Sequence, residues 1–410
     1  MRLIDSAEFQ RLRRIRQLGL AHFAYQSAEH SRFTHSLGAF YLATRVLDRL
    51  GEKYSITRDD RTAVQVAALL HDIGHGPFSH VVEGILGFHH EDYTVDALLN
   101  ADTEIGRLLA EYSPELSLRV ASIIQGTFKP LALAQLVSSQ LDVDRMDYLL
   151  RDSLMTGVKY GIFDLEWIIK SIEIDEAADR LYVSARGTYA VEDYLQSRYY
   201  MFRQVYFHRT LRAAEAVLRA LLRRALHLFQ SARPIWYPPG TAIETILQGR
   251  PLAVVEHLSL DDSDIVFCIK QWSRSADPIL ADLCRRFLNR RLFKAFDLDM
   301  PEEEREAFIS AARSVVKHHG YDPEYYFVED EAGDAEHYFY SRDKTNEKDL
   351  IFVEHGFSRP EIREISEVSA AVRGLQKGYT LLRACFPGEV KKEIASFYRD
   401  RGPESRGTSA

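Results

Sequence analysis

The sequence predicts a mainly α-helical protein with a smaller mixed α+β part toward its C-terminus. From Asp5 to about Lys170 the apolar side chains recur at three- and four-residue intervals, as in HSLGAFYLATRVLDRL and DRTAVQVAALLHDIGH. That is the period of one buried helix face. The pattern breaks at Gly51, Gly76-Pro77 and Lys129-Pro130, residue types that end helices. The aromatic and β-branched runs typical of strands, EYYFVED, HYFYSRD and DLIFVEH, come only near the end of the chain.

Taken in order, the helical stretch gives way at RLYVSARG (Arg180 to Gly187) to a short strand and turn. Val191 to Gln230 then reads as one or two long amphipathic helices able to pack back on the first domain. The segment ARPIWYPPG (Ala232 to Gly240) concentrates three prolines, which lack the N–H a helix needs and restrict the preceding residue. It marks the expected boundary. The predicted organisation is a helical domain over 1–231, a mixed α+β region over 241–400, and a polar, flexible tail over 401–410. Within the second region, Ala276 to Phe296 and Glu302 to His318 read as helices.

Composition excludes several classes. The 410 residues are 46% hydrophobic and 27% charged, ordinary for a chain that folds around a core. A net charge of −8 supplies no global field toward nucleic acid or an anionic membrane. Arg11, Arg13, Arg14 and Arg16 spread around a helix, so a solvated face or subunit contact is favoured over a nucleic-acid patch. Cys268, Cys284 and Cys385 are scattered without CxxC spacing, which argues for a reducing compartment and against a thiolate metal site. No apolar run approaches the roughly 18 residues of a membrane helix, and the N-terminus has no signal-peptide stretch, so a cytoplasmic location is expected.

The chemistry concentrates in the histidines. Eight of the fifteen are His22, His30, His35, His71, His75, His80, His89 and His90. The run AALL leads directly into His71-Asp72, and His75 follows one helical turn later, before Gly76-Pro77 releases His80. A buried aspartate costs several kcal/mol without a partner, and a cation shared with His71 supplies one. Further ligands can come from His35 in SRFTHSLG and from the acidic helix LDVDRMDYLLRD, where spacing does not choose among Asp142, Asp144, Asp147 and Asp152. A two-histidine, two-carboxylate set suits Mn, Fe, Co, Ni or Zn, with magnesium a poorer match because it prefers more oxygen ligands. Such an ion polarises a phosphoryl oxygen and acidifies water, and histidine suits proton delivery to a leaving oxygen. The implied reaction is hydrolysis of a phosphoester or phosphoanhydride.

The ordered motifs QRLRRIRQLG, SRFTHSLG, HDIGHGPFSH, HHE and LDVDRMDYLLRDS resemble those of HD-domain metal-dependent phosphohydrolases, and within them the deoxynucleoside triphosphate triphosphohydrolase branch. The resemblance spans roughly residues 8 to 165. It implies metal ligands at His35, His71, Asp72 and Asp144, selecting the last from its four acids. It implies catalytic roles for His75, His80 and His90, with Glu91 orienting His90. Substrate contacts fall on Gln17, Leu18, Arg32, Tyr148 and Asp152, and on Arg145, where the vertebrate branch commonly has lysine. Lys159, Arg203 and Arg209 complete the basic lining that a triphosphate requires. The implied substrate is a dNTP, cleaved to deoxynucleoside and tripolyphosphate, and the implied assembly is a homo-oligomer. The alternatives are a phosphohydrolase or phosphodiesterase acting on another nucleotide or oligonucleotide, and a non-catalytic nucleotide or single-stranded nucleic-acid sensor. A pure binder has no need of His75, His80 and Glu91 together.

Overall fold

The structure, a computed structural model, describes residues 1–332, 340, 350–356, 360–375 and 381–399. The predicted helices form where the apolar period is strongest: α1 (Arg32–Gly51), α2 (Arg58–Leu70), α3 (His80–Leu86), α4 (His90–Leu99) and α5 (Val143–Thr156). Thr57 caps α2 by accepting from the Asp60 amide at 3.0 Å. Asp142 caps α5 by accepting from the Arg145 amide at 2.8 Å. Each cap satisfies an amide that the first turn leaves unpaired.

After α5 the chain makes strand β1 (Ile172–Asp175) and strand β2 (Arg180–Val183), an antiparallel pair. Only β2 has a sequence signal, because β1 continues an apolar run out of the preceding helix. The predicted long helical stretch is α6 (Thr188–Met201), a π-turn over Phe202–Tyr206, and α7 (Arg209–Gln230). The predicted helix over 276–296 is shorter, α8 (Pro278–Leu288). Its expected end is strand β3 (Lys294–Asp297), followed by α9 (Glu302–His318) as predicted. Strands β4 (Val328–Ala332), β5 (Phe352–His355), β6 (Glu361–Glu364) and β7 (Leu381–Phe386) complete two sheets, ordered β1-β2-β5-β6 and β3-β7-β4. Most of HYFYSRD and the 401–410 tail lie outside the described residues.

Two large hydrophobic cores form among the described residues. The first runs from Phe9 through Val205 and takes in Val353 and Ile365 from β5 and the C-terminal side of β6. The second gathers α7, α8, α9 and β7, with Phe78, Val81 and Val82 from the segment that follows His75. The apolar face of α7 is buried in the second core, while Val254 and Leu258 join the first. In the proline-rich segment, Ile235 and Tyr237 pack against the second core and the Trp236 carbonyl accepts from Trp272 Nε1 at 2.7 Å.

The arginine run near the N-terminus is consumed by packing. Arg11 is 1% exposed, Arg13 stacks 3.6 Å over the Phe33 ring, Arg14 pairs with Asp261 and Arg16 pairs with Glu29 at 2.5 Å. The three cysteines are free and buried. No helix among the described residues is long and apolar enough to cross a membrane.

Candidate metal centre

The end of α2 delivers His71 and Asp72, while α1 and α5 cross behind them. This brings His35 Nε2, His71 Nε2 and Asp144 Oδ1 within 4.8 Å of one another. His35 Nε2 lies 3.2 Å from His71 Nε2 and 3.0 Å from Asp144 Oδ1. His71 Nε2 is 3.5 Å from both Asp144 Oδ1 and Asp72 Oδ1. Ligands held about 2.1 Å from one ion stand roughly 3.0 to 3.5 Å apart.

Proton bookkeeping gives an independent test of fit. His71 Nδ1 donates to the Ala68 carbonyl at 2.9 Å, and His35 Nδ1 to Asp147 Oδ2 at 2.8 Å. In the neutral rings both Nε2 lone pairs then point into the same space, an arrangement that needs a cation between them. Burial disfavours charge on both imidazoles, yet both pKa values are raised, His35 chiefly by hydrogen bonds to Asp144 and Asp147 and His71 chiefly by Asp72 and Asp144. Burial pushes the Asp144 carboxyl up, but His35 and His71 outweigh it and hold it far below the carboxylate range. The residues fit a divalent ion, which His35, His71 and Asp144 could hold, with Asp72 within reach.

Each acid of the α5 motif has its own task. Asp142 is the helix cap and accepts from Arg145 Nη1. Asp144 faces the histidines. Asp147 orients His35 and is itself gripped by Arg151 through Nε (2.8 Å) and Nη2 (2.7 Å). Asp152 accepts from His30 Nε2 (2.7 Å) and from the Tyr206 hydroxyl (2.8 Å). Gly38 makes the α1–α5 crossing tight enough for Asp147 to reach His35: a Cβ there would stand 1.8 Å from Asp147 Oδ1.

A second cluster lies alongside. His75 and His90 stack at 3.6 Å with 15° between their planes. Gly74 permits this, because a Cβ on it would stand 2.2 Å from the His90 carbonyl. The carboxylate that holds His90 is Glu83, which accepts from His90 Nδ1 at 2.7 Å and from its amide at 3.0 Å. Glu91, predicted for that task, is exposed in the first turn of α4, one residue along and so turned away from its neighbour. Burial, then Arg32 and His90, lower the His75 pKa well below its ordinary value. The His80 side chain lies outside the described residues.

The predicted substrate contacts divide. Arg32 is 4% exposed and committed to Asp72 Oδ2 (2.6 Å) and Ser79 Oγ (2.7 Å), so it braces a ligand. Tyr148 meets His35 edge-on at 6.5 Å between centroids, and burial raises its pKa to about 12. Gln17 Oε1 is buried without a hydrogen-bond partner, and Leu18 packs against the second core. Lys159 is exposed, Arg203 donates to the Tyr199 hydroxyl at 2.8 Å, and Arg209 pairs with Asp297. Neither of these two contacts involves a candidate ligand residue. The buried cation that the sequence reading missed is Arg198. It is 1% exposed and donates to Gln140 Oε1 at 2.6 Å. Its pKa is lowered by burial and then by the neighbouring Arg145. No local pattern marks it, since it sits in a helix whose apolar stripe is indistinct.

A family model described as HD domain matches residues 32–152. YwfO of Bacillus subtilis (strain 168) is 40% identical over 376 residues, covering 91% of this chain and 84% of that protein. The crystal structure of a phosphohydrolase from Bacteroides thetaiotaomicron matches with a TM-score of 0.79 and 32% identity, covering 94% of each chain. The chain belongs to the HD-domain phosphohydrolase family. Among relatives of this HD-domain phosphohydrolase is the deoxynucleoside triphosphate triphosphohydrolase SAMHD1 homolog of Dictyostelium discoideum, 32% identical over 234 residues. That match covers 53% of this chain and 45% of the relative, less than half its length.

Proposed function

We propose that this HD-domain phosphohydrolase cleaves deoxynucleoside triphosphates to deoxynucleoside and tripolyphosphate. The observation that carries the reading is a pair of neighbouring guanidiniums, Arg145, part-exposed on the helix that bears Asp144, and Arg198, 1% exposed on α6. Asp142 offsets Arg145, and the further negative charge of a polyphosphate suits the pair. The SAMHD1 name of relatives matched over less than half of their length supports the nucleotide part.

A divalent ion bound by His35, His71, Asp72 and Asp144 would supply Lewis-acid polarisation of the phosphoryl group and acidify water. The chain's own residues do the rest. Arg32 holds Asp72 ionised and in place. Glu83 fixes the His90 ring so that its Nε2 faces away from the carboxylate, suiting it to pass a proton to the leaving oxygen. His75, kept neutral by burial, packs flat on that ring and holds its plane. Tyr148, Asp152 and Gln17 offer the hydroxyl, carboxylate and carboxamide groups that a sugar's hydroxyls would meet.

The experiment is incubation of Mn-loaded protein with an equimolar mixture of four dNTPs, with products separated by ion-exchange chromatography. Tripolyphosphate and deoxynucleoside are the expected products. Pyrophosphate, or turnover of cyclic nucleotides or oligonucleotides in place of dNTPs, would overturn the substrate assignment.

A further inference from the structure

The turn between α2 and α3 carries Asp72, His75 and Ser79, yet its backbone belongs to neither helix nor sheet. Its peptide groups are satisfied by side chains from elsewhere. Arg11 Nη1 and Nη2 donate to the Ile73 and His75 carbonyls at 3.1 and 2.7 Å. His257 Nε2 donates to the Gly74 carbonyl at 2.7 Å. Asp262 Oδ1 accepts from the Phe78 amide at 3.0 Å. Thr94 Oγ1 accepts from the Gly74 amide at 3.0 Å. Arg11 Nε in turn donates to the Leu260 carbonyl at 2.6 Å, so the stretch His257 to Asp262 supports the turn at several of its peptide groups.

The bracing residues have little freedom. Arg11 is 1%, His257 0% and Asp262 3% exposed. His257 is stacked on Tyr93 at 3.8 Å with 8° between the rings and meets the edge of Phe88. Asp262 also accepts from the Arg16 amide at 3.1 Å. The turn they hold is strained: Phe78 and Ser79, neither of them glycine, have φ of 51° and 48°. Such residues persist only where their surroundings over-determine them.

We infer that His257 and Asp262, acting with Arg11, are positioning residues for the hydrolytic reaction, fixing the peptide groups of the Asp72–Ser79 turn and through them the places of Asp72 and His75. The second unit of the chain thereby takes part in catalysis without touching substrate. The inference rests on the hydrolase reading for its kinetic arm alone.

The test compares His257→Ala, His257→Gln, Asp262→Ala and Asp262→Asn in the full chain. It reads kcat and KM for dNTP hydrolysis with Mn, and amide hydrogen exchange across residues 73–79. Misplacing reacting groups by about 1 Å can cost about 100-fold, so the alanine variants should lose about 10- to 100-fold in kcat with KM changed less than about threefold. Exchange in the turn should rise, and glutamine, which can still donate to the Gly74 carbonyl, and asparagine, which keeps the acceptor for the Phe78 amide but not the one for the Arg16 amide, should recover most of both. Should an alanine variant fail to fold, the glutamine and asparagine variants decide: near-wild-type kcat and exchange support the brace, and losses in both overturn it. Wild-type kcat and exchange in folded alanine variants also overturn it. If the wild-type protein hydrolyses no dNTP, that defeats the substrate assignment alone, and the exchange arm still judges the brace.

Discussion

Replacing Gly38 by alanine should disable the metal centre without touching a ligand. The added Cβ would stand 1.8 Å from Asp147 Oδ1, 2.5 Å from Asp147 Cγ and 2.3 Å from Arg151 Nη2. Ordinary contact begins near 3.4 Å, so the carboxylate must retreat by about 1.5 Å, enough to break hydrogen bonds of normal length. Three are at stake: His35 Nδ1 to Oδ2 at 2.8 Å, Arg151 Nε to Oδ2 at 2.8 Å, and Arg151 Nη2 to Oδ1 at 2.7 Å. Hydrogen bonds to charged groups contribute about 1.5–3 kcal/mol each, while alanine returns about 1 kcal/mol of helix propensity. If Arg151 follows the carboxylate and keeps one of its two bonds, two are lost and the net destabilisation is about 2–5 kcal/mol. Freed of Asp147, the His35 ring loses its fixed tautomer, and loss of such a partner typically lowers metal affinity 10- to 100-fold. Isothermal titration of metal-stripped protein with Mn, beside urea unfolding, measures both effects. Wild-type affinity with wild-type stability would refute the argument that this notch positions His35.

Arg32→Ala should lower Mn affinity as well as raise KM, because Arg32 is bonded to Asp72; normal metal content with only KM raised would return Arg32 to the substrate. Mn affinity should fall as pH drops, starting above the ordinary histidine range of about 6.5. His35 and His71 have raised pKa values and must release protons to bind an ion, so titrations in buffers of different ionisation enthalpy should show proton release. Burial, with Arg11 next, lowers the His257 pKa to about 3. The unfolded chain therefore binds the extra proton between about pH 6.5 and 3, so this stability is full above 6.5 and is lost as pH falls. Between pH 6.5 and 5 the loss is on the order of 2 kcal/mol, and His257→Gln should flatten that limb in urea unfolding measured at the two pH values.

Most of the first unit was legible because helical periodicity and the spacing of chemical groups are local properties. Strand β1 and the early end of α8 were not legible, since short apolar runs carry no period of their own. The sharpest correction concerns the carboxylates. Sequence adjacency made Glu91 the natural partner of His90, whereas α3 and α4 fold so that Glu83, seven residues earlier, meets the ring.

By itself the sequence determined the helical class, the histidine and aspartate motifs, and their membership of one family, because these depend on residues close together in the chain. Only the tertiary structure decided that Glu83 and not Glu91 meets His90, that Arg198 lies beside Arg145, and that residues 257–262 hold the Asp72–Ser79 turn. Those contacts join groups separated by up to 249 positions. No local pattern encodes them: burial is set by the whole fold, and it is burial that requires each polar group to find its partner.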